Sequence, residues 1–139
     1  MPDERVASSG TARVRVRYCE CDPMGVAHHA SYVPWLEIGR TELLRESGKT
    51  YAALEADGIL LVIVKLEVRY RRSVKYDDTV EIRTRWTGGG RVKIEHEYDV
   101  VVVERAGAAV EELAATASTT LGCVDRAGKI MALPAWLAT

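Results

Sequence analysis

The strongest constraint in this chain is a block of alternating apolar and polar residues, broken only by turn residues, that begins at Leu60. In LLVIVKLEVRYR (60–71), Val64, Leu66, Val68 and Tyr70 fall on one face and Lys65, Glu67, Arg69 and Arg71 on the other, the period of a strand with one wet side. Arg72 interrupts that period and predicts a bend. Tyr76, Asp77 and Asp78 form a turn, TVEIRTRW (79–86) alternates again, and Gly88, Gly89 and Gly90 make the next hairpin. A long strand follows over 92–103, then a turn at Arg105, Ala106 and Gly107, then a last strand over roughly 112–124. RVRVRY (13–18) is an earlier strand of the same kind. Between it and Leu60, Tyr32, Trp35, Leu36, Leu43 and Leu44 recur at helical spacing, with Pro34 in the first turn, where proline is tolerated, and Gly48 just past the end. Residues 51–58 read as a short helix or turn. The order predicts an α+β fold: one long central helix wrapped by an antiparallel sheet of five to six strands. One domain over 1–139 is expected, with 1–10 as a flexible lead. Val101 and Val103 put apolar groups on the sheet's second face, so a second subunit is expected to cover it.

Composition excludes several function classes. Nineteen Lys and Arg against twenty Asp and Glu leave a formal charge of -1, which gives no footprint for nucleic acid or an anionic membrane. No apolar run approaches the about 18 residues of a membrane span, and the start lacks the apolar core of a signal peptide. Three cysteines, two of them one residue apart, suit reduced thiols better than a disulfide framework. A cytoplasmic protein is expected.

The stretch CECDPMGVAHHASY (19–32) gathers two thiols, a carboxylate and two imidazoles. A zinc site needs ligands at chelating offsets, whereas C-x-C and adjacent His28 and His29 point their side chains apart, so no metal is expected. Glu20 and Asp22 beside the thiols raise rather than lower a thiol pKa, which argues against a cysteine nucleophile. Asp22 allows two readings. It caps the following helix, or it stands beside a helix start whose free N–H groups polarise a carbonyl while the carboxylate attacks or activates water. Gly25 allows close backbone approach to a ligand. His96 falls on the apolar row of its strand and reads as a satisfied buried histidine.

The run RVRYCECDPMGVAHHASYVPWLEIGRTELL resembles the N-terminal signature of the 4-hydroxybenzoyl-CoA thioesterase branch of the hotdog-fold superfamily, which includes the acyl-CoA thioesterases associated with the bacterial Tol-Pal system. Arg17, Tyr18, Cys21, Asp22, Gly25, Val26, His29, Tyr32, Glu37 and Arg40 carry the match. KLEVRYRRSVKYDDTVEI is similar to the second signature of the family, with Ser73 where many relatives have Pro.

The resemblance implies an acyl-CoA thioesterase, dimeric or tetrameric, with active sites between subunits and no cofactor, coenzyme A being part of the substrate. It puts Asp22 at the catalytic aspartate and His29 at the residue whose helix-start N–H polarises the thioester carbonyl, with Gly25 in the turn between them. Tyr32 is then a wall of the acyl pocket, or core. Arg71 and Arg72 lie in a basic cluster with Lys65, Arg69 and Lys75, suited to the phosphates of coenzyme A or, equally, to a solvated strand face. Ser118 and Thr119 sit on a small-residue strand that a ligand could approach. Two rival functions are a hotdog dehydratase on acyl-carrier thioesters, which needs a His/acid pair for proton removal, and a non-catalytic acyl-CoA binding or sensing module.

Overall fold

The computed structural model describes residues 8–138. Five strands, β1 (Ser9–Arg15), β2 (Leu60–Tyr70), β3 (Thr79–Gly88), β4 (Lys93–Arg105) and β5 (Ala108–Val124), form one antiparallel sheet in the order β1-β3-β4-β5-β2. The expected flexible lead falls mostly on 1–7, outside the described residues. Ser9 and Gly10 instead already pair with Arg85 and Thr84. The last strand begins at Ala108 rather than near 112, because the tight turn at Ala106 (φ 53°) and Gly107 (φ 81°) lets β5 pair with β4 from its first residue.

Helix α1 (Tyr32–Glu46) lies across the sheet, and the shorter α2 (Tyr51–Ala56) follows it. The apolar stripe read from the sequence is the buried one: Tyr32, Trp35, Leu36, Leu43 and Leu44 are all inside. Gly39 sets the depth of this packing. A Cβ there would stand 2.5 Å from Thr84 Oγ1 and 2.7 Å from Ile82 Cγ2, so only a bare backbone lets α1 sink this far onto β3. The helix stops at Gly48, whose φ of 80° is left-handed, and Thr50 opens α2 by accepting the Ala53 N–H at 3.1 Å.

Two apolar clusters result. One joins Val16, Tyr32, Trp35 and Leu36 to Val80, Ile82, Tyr98 and Val100; the other packs Leu44, Leu54, Ile94 and Leu121 under the C-terminal Leu133 and Leu137.

The edge strand β2 departs from the simple alternation. Its register with β5 shifts between Ile63 and Lys65, so Val64 sits on a bulge and is 56% exposed instead of facing inward. The extra residue changes which parity points at the helix: Leu61 packs on the second core cluster, whereas beyond the bulge Val68 and Tyr70 reach the first core and Tyr32. The bend expected near Arg72 is real, since β2 ends at Tyr70 and the N–H groups of Arg71 and Arg72 both bond to Ala114 O, at 2.8 and 3.0 Å.

Candidate active site

The segment between β1 and α1 is built as a closed loop. Cys21 and Ala27 bridge, Asp22 N donates to Val26 O at 2.9 Å, and Gly25 N returns to Asp22 O at 3.0 Å. The turn requires φ of 79° at Gly25, which glycine adopts without strain. Ala27 N donates to Val74 O at 2.7 Å and Tyr76 N to Gly25 O at 3.2 Å, which ties the loop to the β2–β3 connection.

Asp22 does not cap α1. Its Oδ1 accepts the N–H groups of Met24 (2.9 Å) and Val26 (3.4 Å), closing a local turn, and both bonds fall on that one oxygen. The physical reason is spacing: Asp22 lies ten positions before the helix, and the N–H groups nearest to it are those of its own loop.

Glu20 fixes the start of the helix, a role that the sequence reading missed. It is 7% exposed, accepts the Trp35 indole N–H at 2.8 Å and the Arg17 N–H at 2.7 Å, and its backbone oxygen takes the His28 N–H and the Ser31 hydroxyl, both at 2.8 Å. Burial raises the pKa of this carboxyl, but the bonds from Arg17 and Trp35 outweigh it and hold the carboxyl below its ordinary value. One backbone turn of the 3-10 type, His29–Ser31, leads into α1. The His28 ring caps it by accepting Ala30 N–H at 3.1 Å, and Ser31 N–H goes to His28 O at 2.9 Å. His29 is the first residue of that turn, and its carbonyl is held by the Tyr70 hydroxyl at 2.9 Å. The two imidazoles stack with centroids 4.0 Å apart rather than converging on a point.

A cleft of about 250 Å³ opens beside this turn, lined by Val26, His29, Tyr32, Tyr70, Arg71 and Arg72. It thus gathers four of the residues read from the sequence: His29, Tyr32, Arg71 and Arg72. Tyr32 is both core and wall, 3% exposed, with rings of Trp35 and Tyr70 each 4.9 Å away; burial pushes its hydroxyl pKa up to about 12. Asp22 and Gly25 stand on the adjoining loop. Ser118 and Thr119 lie elsewhere. Thr119 is 2% exposed and bonds to the Tyr98 hydroxyl at 2.6 Å, under the helix, because alternation in β5 sends it inward. Ser118, its neighbour, faces the other side of the sheet beside Arg69 and Arg85.

The cysteines also differ from one another. Cys19 is exposed, in a 3-10 turn rather than a strand end, while Cys21 is half-buried, and burial, then Glu20 and Asp22, raise its thiol pKa away from a nucleophile's. His96 is buried, as expected, but not satisfied: its Nδ1 has no hydrogen-bond partner, and burial with the nearby Arg40 charge lowers its pKa to about 4.

Known proteins share this design. A Bacillus subtilis protein described as a putative acyl-CoA thioesterase, YneP, is 32% identical over 113 residues, 81% of this chain and 78% of its own. The acyl-CoA thioester hydrolase YbgC of Escherichia coli is 42% identical over 74 residues, 53% of this chain and 55% of its own. The crystal structure of a DHNA-CoA thioesterase from Staphylococcus aureus superposes with a TM-score of 0.82 at 30% identity, covering 90% of this chain and 80% of that one. The sequence model of the thioesterase-like superfamily matches residues 16–139. With its single long helix wrapped by a five-stranded antiparallel sheet, the chain belongs to the thioesterase-like superfamily of hotdog proteins.

Proposed function

We infer that this protein is an acyl-CoA thioesterase whose chemistry takes place where the loop 21–27 meets the start of α1. One observation carries the site: His29, the first residue of the turn into α1, forms a wall of a cleft whose rim holds Arg71 and Arg72, on the strand exit facing that turn. The thioester carbonyl oxygen lies at the His29 N–H, where the helix dipole and an unshared donor favour developing negative charge. The loop bonds leave Asp22 Oδ2 free to act. It attacks the carbonyl carbon, expelling coenzyme A as its thiolate and leaving an anhydride that water opens, or it takes a proton from the water that attacks. Gly25 keeps the turn that presents Asp22. Arg71 and Arg72 receive the coenzyme A phosphates. Tyr32 closes the inner wall. No cofactor is required, since coenzyme A arrives with the substrate.

The working unit is a homo-oligomer, a dimer at least, with the cleft completed by a second copy. β2 is an edge strand of eleven residues, and Val62, Ile63, Val64 and Leu66 along it are 40–56% exposed, an apolar edge of a kind that monomers avoid. The cytoplasm suits free cysteines at 19, 21 and 123, and among the described residues no helix is long and apolar enough to cross a membrane. A panel of short, long and aromatic acyl-CoAs, assayed by release of free thiol, tests the function. Turnover of at least one class is expected. Saturable binding with no thiol released from any of them would make the protein a sensing module instead.

A further inference from the structure

The turn that presents the His29 N–H is closed from its own N-cap, His28. The Ala30 N–H can only donate, so the His28 Nδ1 that accepts it at 3.1 Å is bare, and the neutral ring carries its hydrogen on Nε2. The backbone on either side is tied down. His28 N–H goes to Glu20 O at 2.8 Å, His28 O takes the Ser31 N–H at 2.9 Å, and Ala27 N–H goes to Val74 O at 2.7 Å. The bond from the ring is therefore the member of this set that a change of protonation can break.

The preferred caps are Ser, Thr, Asp and Asn, whose oxygens accept a backbone N–H throughout the neutral range. An imidazole accepts through Nδ1 only while that nitrogen is bare, and histidine is the side chain whose charge changes between about pH 5 and 8. A proton on Nδ1 sets donor against donor at Ala30 and puts a positive charge at a helix start, where the dipole opposes it. Other ionisable groups surround the turn. The His29 ring stacks on that of His28 with centroids 4.0 Å apart, and the Glu20 carboxylate is taken up by Arg17 and Trp35. From β2 and its exit, Tyr70 donates to His29 O at 2.9 Å, and Arg71 and Arg72 line the cleft on the His29 side. We propose that His28 is a positioning residue for the hydrolysis: its bare Nδ1 holds the turn that aims the His29 N–H at the thioester carbonyl, and a proton on that nitrogen releases the turn and lowers turnover. The assignment rests on the thioesterase reading and adds to it a proton-sensitive element outside the reacting atoms.

The test uses the full-length protein in two arms. The first measures kcat and KM by thiol release, from about pH 8 down to about pH 5.5, with the most rapidly hydrolysed acyl-CoA of the panel. Wild-type kcat is expected to fall about tenfold over this range with KM nearly unchanged, because the N–H acts on the transition state. His28→Ala lowers kcat several-fold at the upper pH. His28→Asn, whose side-chain oxygen caps without titrating, restores it there and flattens the acid limb. An acid limb that survives in His28→Asn overturns the proposal. The second arm follows the wild-type protein by NMR, with the imidazole nitrogens of His28 assigned by their loss in His28→Asn. At the upper pH the ring is expected as the Nε2–H tautomer, and on acidification the amide resonances of His29 and Ala30 move with the midpoint of the His28 ring. An Nδ1–H tautomer, or amides indifferent to the ring, overturns the proposal as well. Absence of thiol release from every ester, with the ring and amides still moving together, overturns the hydrolase reading and leaves the proton-linked turn standing.

Discussion

The start and the middle of α1 solve the same problem in opposite ways. At its start, polar groups are matched within one short stretch of chain: Glu20 holds Arg17 and Trp35, its carbonyl holds His28 and Ser31, and the His28 ring holds Ala30. Halfway along, Arg40 and His96 each keep a buried nitrogen without a partner, although Tyr98 and Thr119 beside them bond to each other at 2.6 Å. Matching fixes a geometry, which is what a site that polarises a carbonyl requires. Incomplete matching leaves capacity for something else to bind, at a cost in stability.

Three changes sharpen this contrast. The largest effect on stability is expected from Glu20→Ala, which strands the buried Trp35 N–H and the Arg17 N–H together: about 4 kcal/mol lost in denaturant unfolding, with activity falling because the helix start is no longer fixed. A loss under about 1 kcal/mol would mean that the matched end is held by packing alone. At the middle of the helix the lever is pH. His96 titrates near 4 when folded, against about 6.5 when unfolded, so the unfolded chain takes up the proton first as the medium is acidified. Stability is then complete above about pH 6.5 and declines toward pH 4 by about 3 kcal/mol, and His96→Phe is expected to remove most of that slope. An unchanged slope in the variant would assign acid unfolding to other groups. The smallest effect is that of Tyr70→Phe, which frees the His29 carbonyl: about 1 kcal/mol in kcat/KM, a several-fold loss, with the melting temperature nearly unchanged.

The matched end was largely legible in the sequence because its partners are neighbours. The spacing of Asp22, Gly25, His29 and the apolar stripe from Tyr32 located the loop and the helix. Glu20 was read only for its effect on the neighbouring thiols, and its role at the helix start escaped notice because an acidic residue next to two cysteines carries no periodic signal. The cluster around Arg40 was not legible, since its neighbours come from α2 and β4, at positions 51, 96 and 98, and the sequence does not say which strands the helix crosses. The strands themselves followed from alternation in outline; it failed at Val64, where a bulge moves one residue out of phase without any glycine or proline to mark it, and at Val101, read as facing the second side of the sheet but buried beside a register shift. Thr119 shows the converse limit: small residues on an alternating strand face either side equally well by composition, and only the register with β4 sends it inward.

The claim on which the functional account rests is that the Asp22 carboxylate, held by its own loop through Oδ1, performs the chemistry with its other oxygen. Asn keeps the amide oxygen that Met24 and Val26 require and removes the carboxylate, so Asp22→Asn separates structure from chemistry. With the most rapidly hydrolysed acyl-CoA of the panel, kcat for Asp22→Asn is expected to fall by about a hundredfold or more, with unfolding midpoint and oligomeric state unchanged. A variant that hydrolyses the same ester within a few-fold of the wild-type rate would show that Asp22 serves only to close its turn.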